Sequence, residues 1–194
     1  MLRRNTKKEM NGFRHIPNIL TISRIIITLF VIYLIFRRAK IEIIVPIFAV
    51  GALTDFFDGL LARKYKWKSE FGRKADMLAD RFLWVGTALA FFVSYGLGGE
   101  LDWNHYLQLM FIMTREIISA PFAIAAFFTG KQIPKVRIIA KVVTFIQGFA
   151  LPSLMLSIYY PIFLYLSWPL SIVLAVIGFK SAIFYLKDIG VSIK

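Results

Sequence analysis

At 194 residues, 58% hydrophobic and 16% aromatic, the chain is too apolar for an ordinary soluble domain. It contains no cysteine, which excludes a disulfide framework, a thiolate nucleophile and thiolate metal ligands. The net charge is +13, from 24 Lys plus Arg against 11 Asp plus Glu. No basic helix or aromatic-interleaved patch stands apart from the apolar runs, so nucleic acid is not an expected partner, and the basic residues suit cytoplasmic connections and anionic lipid.

Residues 1–17, MLRRNTKKEMNGFRHIP, read as a basic cytoplasmic, juxtamembrane segment. The apolar run that follows is long and lacks a small-residue cleavage site, so it reads as a first span and not as a removed signal peptide. Apolar runs fall at 18–36, 41–62, 77–98, 105–129, 138–158 and 161–186. Each can cross a hydrocarbon core about 30 Å thick as a helix. The chain is therefore expected to be an all-α polytopic membrane protein, with six transmembrane helices forming one domain over 18–194.

The breaks RRAK, Arg63–Lys74, GLGGELDWN, TGKQIPKVR and YYP are charged, turn-prone or both. The N-terminal segment holds five Lys or Arg, the second connection six and the fourth four, whereas the third and fifth hold none. The first connection, with Arg37, Arg38 and Lys40, dissents. The balance predicts a multi-pass protein of the cell membrane, with both termini and the second and fourth connections facing the cytoplasm.

Four aspartates border the second of those connections. Asp55 and Asp58 lie three apart at the end of the second span, and Asp76 and Asp80 lie four apart at the start of the third. On helices each pair shares a face. Antiparallel neighbours joined by a short connection would bring the four carboxylates together, and their mutual repulsion would call for cations. An all-oxygen cluster suits hard divalent ions, Mg²⁺ or Mn²⁺. Two such ions close together would suit transfer of a phosphoryl-type group. Helix capping, or pairing with Arg63, Arg73, Lys74 and Arg81, would account for one such pair more readily than for two beside Gly59 and Gly72.

The stretch DFFDGLLAR, eight further residues, then GRKADMLAD resembles the signature of the CDP-alcohol phosphatidyltransferase family: Asp-x-x-Asp-Gly-x-x-Ala-Arg, a gap, Gly-x-x-x-Asp-x-x-x-Asp. All eight fixed positions match, at Asp55, Asp58, Gly59, Ala62, Arg63, Gly72, Asp76 and Asp80. The resemblance implies a six-helix enzyme, commonly homodimeric, in which an alcohol displaces CMP from a CDP-linked lipid, CDP-diacylglycerol or CDP-archaeol. It implies that Asp55, Asp58 and Asp76 are ligands of a two-ion metal site. Asp80 would be both a metal neighbour and the general base. With Asp55 and Asp58, the residues Gly59, Ala62 and Gly72 would wall the cytidine, and Arg63 would meet the diphosphate. Such roles fit the chemistry, since a departing diphosphate needs positive charge and a neutral hydroxyl needs a base.

The opening HIPNILTISR is similar to that of several members, and places Asn18, Thr21 and Arg24 three apart on one helical face. Interhelical bonding and nucleotide contact are both open to them. Arg115 and Glu116 fall inside the fourth span, where charges default to function. Being adjacent on a helix, they are not expected to neutralise one another. Arg115, Lys135, Arg137 and Lys141 would supply cations for an acceptor that itself bears a phosphate. TRE at 114–116 and AKVVTFIQ at 140–147 are similar to the branch that makes phosphatidylglycerophosphate and cardiolipin.

Glycerol 3-phosphate is thus the first expected acceptor. Inositol phosphate comes next, then phosphatidylglycerol or serine. A cation transporter would be the reading from another class. It would place charges near the midplane on broken helices or repeats, whereas these aspartates cluster at one end beside a basic loop.

Overall fold

The computed structural model describes residues 16–65, 70–128 and 138–189, and among them every regular element is a helix. In chain order these are α1 (Ile16–Phe36), α2 (Ile41–Tyr65), α3 (Glu70–Phe91), α4 (Trp103–Ile112), α5 (Thr114–Phe128), α6 (Ile138–Leu156) and α7 (Ile162–Ile189). A π-helical stretch, Phe92–Gly96, prolongs α3. The fold is all-α, as the apolar runs predict.

The helices run beyond the apolar runs at the second connection. α2 continues to Tyr65 and α3 begins at Glu70, so most of the charged Arg63–Lys74 stretch is helical where a break was expected. Lys, Arg and Glu are good helix formers, and charge by itself does not end a helix. The four aspartate positions therefore lie within helices and not at their borders.

The fourth apolar run is divided at Met113, whose backbone (φ −90°, ψ 7°) departs from helical values. There the Thr114 hydroxyl donates to the carbonyls of Met110 at 3.1 Å and Phe111 at 2.9 Å. Such back-bonding competes with the main-chain ladder and bends helices. The ladder is nevertheless bridged across the bend, Met113 N–H to Leu109 O at 3.0 Å and Ile117 N–H to Met113 O at 2.8 Å.

α1 packs on both α2 and α3, while α7 packs on α4, α5 and α6; α2 against α6 and α3 against α5 join the two groups. Small residues set the closest crossings. A Cβ on Gly51 of α2 would lie 3.0 Å from Ile27 of α1, and one on Gly178 of α7 would lie 3.4 Å from the backbone nitrogen of Arg115.

The polarity is inverted relative to a water-soluble bundle. Ile22, Ile26, Leu29 and Phe30 of α1 and Val176 and Phe179 of α7 face outward, while Arg24, Thr28, Gln108, Gln147 and Ser171 are fully buried. Among the described residues, α6 and most of α7 (Ile162–Asp188) are long and apolar enough to cross a bilayer, and shorter apolar helices occur at Thr21–Phe36 and Ile41–Leu53.

At the end of the bundle away from the aspartates, polar contacts hold the connections. Arg38, at φ 54°, pairs with Glu100, donates to the carbonyl of Ser94 and lies 4.4 Å from the centroid of the Tyr95 ring. The dissenting basic connection thus has a carboxylate from the third connection against it. Tyr160 donates to Glu42 at 2.5 Å, tying the α6–α7 connection to the start of α2. Asp102 caps α4, accepting from the backbone N–H of His105 at 3.1 Å with the His105 ring 2.6 Å away.

Candidate active site

Asp80 lies in α3, partly buried, where one of its carboxylate oxygens accepts from the indole N–H of Trp84 at 2.9 Å. The two are one helical turn apart. Trp84 is 1% exposed and meets Phe48 of α2 edge-on, ring centroids 5.4 Å apart. Packing therefore fixes the indole, and the indole fixes one oxygen of the carboxylate.

Arg115 of α5, Arg24 of α1 and the adjacent Arg81 act on this carboxylate electrostatically, and Glu116 opposes them. Arg24 is fully buried, and Thr28, one turn on, donates to its carbonyl at 2.7 Å. Thr21, three residues earlier on the same helix, is buried as well. The side chain of Asn18 falls outside the described residues.

Arg115 corrects an expectation. Its Nε and Nη2 both donate to Oε1 of Glu116, at 2.7 and 2.6 Å. Adjacent helical residues point about 100° apart, but these two occupy the first turn of α5, just past the bend at Met113, and both side chains are long. Buried at 8% and 2% exposure, they gain by closing on one another, because an uncompensated charge in the interior is costly. The Nη1 of Arg115 reaches α6, donating to the Ala140 carbonyl at 2.9 Å and the Thr144 hydroxyl at 3.0 Å. Gln147, one turn beyond Thr144, donates to Oε2 of Glu116 at 2.7 Å and to the carbonyl of Ile112 at 2.9 Å.

The sequence marks Arg81 only as a partner for the aspartates. Here its Nη1 donates to Ser119 of α5 at 3.1 Å, and its guanidinium lies 5.1 Å from the centroid of the Tyr185 ring of α7. An arginine directly after the last motif aspartate, at the start of an apolar run, is the feature that could have marked it. Gln147 carried a weaker mark, a lone amide in an apolar helix.

Of the acceptor-side cations, Arg115 acts on Asp80 electrostatically, and Lys141 is exposed on the first turn of α6 beside Ala140. Lys135 and Arg137 fall outside the described residues. Positions 55, 58, 59, 62 and 63 belong to α2, and positions 72 and 76 to α3. The side-chain roles expected of Asp55, Asp58, Gly59, Ala62, Arg63, Gly72 and Asp76 lie outside what is described.

Comparison with known proteins bears on this arrangement. A sequence model of the family described as CDP-alcohol phosphatidyltransferase matches residues 14–173, from the start of α1 into α7. The chain is 30% identical over 146 residues to the CDP-diacylglycerol–glycerol-3-phosphate 3-phosphatidyltransferase of Rickettsia typhi, covering 74% of this chain and 78% of that protein. It is 35% identical over 144 residues to the protein of the same name from Wigglesworthia glossinidia brevipalpis, covering 73% and 76%. To that from Cereibacter sphaeroides it is 36% identical over 105 residues, covering 53% and 46%. The matched region contains the eight motif positions together with Arg24, Arg81, Arg115, Glu116 and Gln147, and the chain belongs to the CDP-alcohol phosphatidyltransferase family.

Proposed function

We propose that the protein transfers the phosphatidyl group of CDP-diacylglycerol to glycerol 3-phosphate, giving phosphatidylglycerophosphate and CMP. The observation that carries this reading is Asp80 held by Trp84 in a bundle that buries Arg24 and Arg115, inside a family match that takes in the whole aspartate motif. The relatives' names point to this donor and acceptor.

In the transfer, the acceptor hydroxyl oxygen bonds to the phosphorus that carries the lipid. The bond from that phosphorus to the CMP oxygen breaks, and CMP leaves with the electron pair. Asp80 takes the hydroxyl proton. One oxygen of Asp80 is held by Trp84, which leaves the other for this work. Asp55, Asp58, Asp76 and Asp80 would hold two divalent ions, Mg²⁺ or Mn²⁺. The donor set fits: it is all oxygen, spaced by about one turn on each of two helices, and Trp84 occupies only one of the Asp80 oxygens. When bound, such ions supply positive charge against the diphosphate. Arg63 adds to that charge, and Gly59, Ala62 and Gly72 let the nucleotide approach the helices closely.

Arg115, Lys135, Arg137 and Lys141 receive the acceptor phosphate. In support, Arg115 is bound to the first turn of α6, which carries Lys141. The domain, 18–194, crosses the cell membrane six times, by α1, α2, α3, α4 with α5, α6 and α7. Both termini and the site face the cytoplasm, and two copies associate as a homodimer.

The test is CMP release by purified protein with CDP-diacylglycerol and Mg²⁺ or Mn²⁺, offering glycerol 3-phosphate, inositol phosphate, inositol, serine and phosphatidylglycerol one at a time. Glycerol 3-phosphate is expected to win. Preference for uncharged inositol, or for serine, would overturn the reading of the basic residues.

A further inference from the structure

We infer that Glu116 and Gln147 are positioning residues for the transfer, a buried relay that sets where the guanidinium of Arg115 stands relative to Asp80. The inference rests on the reading of Arg115 as a cation on the acceptor side.

The relay begins at the bend in the fourth apolar run. Gln147 has two amide hydrogens on Nε2, and they go to either side of Met113: one to the carbonyl of Ile112, the last residue of α4, and one to Glu116 in the first turn of α5. A single amide from α6 thus pins both arms of the bend. Glu116 divides its oxygens in the same way, Oε2 accepting from Gln147 and Oε1 from Arg115. Thr144 and the Ala140 carbonyl hold the other end of the guanidinium from the same helix. Gln147 and Glu116 are 0% and 2% exposed, so water does not compete for these bonds.

The charge held in this way is one that Asp80 feels. Arg115 bonds only Oε1 of Glu116, and Gln147 is the donor to Oε2. Gln147 adds direction: it fixes the carboxylate plane and, through it, the guanidinium. An apolar residue at 147 would free Glu116 to turn, and the bend at Met113 would lose its brace. Arg115 would then meet the acceptor phosphate in many orientations, which weakens binding of that substrate and spares the CDP-lipid, whose proposed contacts are on other residues.

The test is steady-state kinetics of Gln147→Leu, Glu116→Gln and their double variant in detergent micelles, varying glycerol 3-phosphate and CDP-diacylglycerol separately. Each single variant is expected to raise the KM for glycerol 3-phosphate by about tenfold, the order expected for a lost charge-assisted hydrogen bond, while the KM for CDP-diacylglycerol stays within about twofold. The double variant should raise the acceptor KM no further than Glu116→Gln, because Gln147 reaches Arg115 through Glu116, whereas loss of its bond to Ile112 is read as a lower melting temperature. Parallel loss in both KM values, or additive effects in the double variant, would overturn the relay in favour of simple cohesion. If Gln147→Leu does not fold, the near-isosteric Glu116→Gln decides the matter by the same split. Arg115→Ala separates the two levels. A raised acceptor KM there with unchanged values in Gln147→Leu and Glu116→Gln removes the relay alone, and an unchanged acceptor KM in folded Arg115→Ala removes the reading of Arg115 and the relay with it.

Discussion

Trp84→Phe should slow turnover without emptying the site of its substrates. The substitution deletes the indole N–H that donates to Asp80 at 2.9 Å and keeps an aromatic ring against Phe48. A hydrogen bond to a charged group is worth about 1.5–3 kcal/mol, and each 1.36 kcal/mol is about a tenfold change in rate. If that bond serves to orient the base, kcat for CMP release should fall about tenfold to a hundredfold. Both KM values should stay within about twofold, since no binding contact to either substrate is removed. The smaller ring also leaves a void at a position only 1% exposed, so thermal unfolding in detergent should show a loss of about 1–3 kcal/mol. Phe48→Leu is the control: it disturbs the same packing and leaves the hydrogen bond, and should lose comparable stability with kcat nearly intact. A Trp84→Phe protein with wild-type kcat, or a Phe48→Leu protein equally slow, would refute the claim that the indole orients Asp80.

Chelation with excess EDTA should abolish CMP release, and Asp58→Asn or Asp76→Asn should lower both turnover and the protein's capacity to bind Mn²⁺, read by isothermal titration. Gly178→Leu should destabilise the protein by about 1–3 kcal/mol through overpacking, because a Cβ there already lies 3.4 Å from the Arg115 backbone; Gly178→Ala should be tolerated, and thermal shift assays distinguish the two. Asp102→Ala should cost about 1 kcal/mol through loss of the α4 cap. Desolvation is the largest single influence and pushes the Asp102 carboxyl up, but hydrogen bonds from the His105 backbone and ring together outweigh it and hold the carboxyl below the usual range. Its contribution is therefore full above the ordinary carboxylate pKa and fades as pH falls through the lowered value, so the gap in melting temperature between wild type and Asp102→Ala should narrow in acid.

Much of this architecture is legible in the chain because lipid leaves few choices. A segment in hydrocarbon must satisfy its own backbone, so an apolar run of about 20 residues is a helix, and the apolar runs fall on the helices seen. The motif is legible for a related reason, since aspartates at helical spacing beside apolar segments have few structural excuses.

Other features depend on neighbours that sequence order conceals. The bend at Met113 comes from a Thr114 hydroxyl that could equally have pointed away. The ion pair of Arg115 with Glu116 breaks the usual rule for adjacent residues, because burial at the first turn of α5 makes pairing cheaper than separation. Arg38 and Glu100 lie 62 positions apart, and Arg81 is 38 from Ser119, so neither pairing has a local signature. The charged Arg63–Lys74 stretch reads as a loop by composition, yet helix propensity carries α2 and α3 well into it.

In the multi-pass arrangement proposed above, the chain would enter the bilayer segment by segment as it is made, and each ionised side chain would need compensation on entry. Because Arg115 and Glu116 are neighbours that bond each other, the fourth apolar run would arrive carrying its own counter-charge, with the bonds to Ala140, Thr144 and Gln147 of α6 added later. Arg24 precedes Asp80 by two apolar runs, so a cation is already in place when that carboxylate follows. In that arrangement the order of charges along the polypeptide would also be an order of biogenesis, and moving Glu116 to a later helix would leave Arg115 to cross alone.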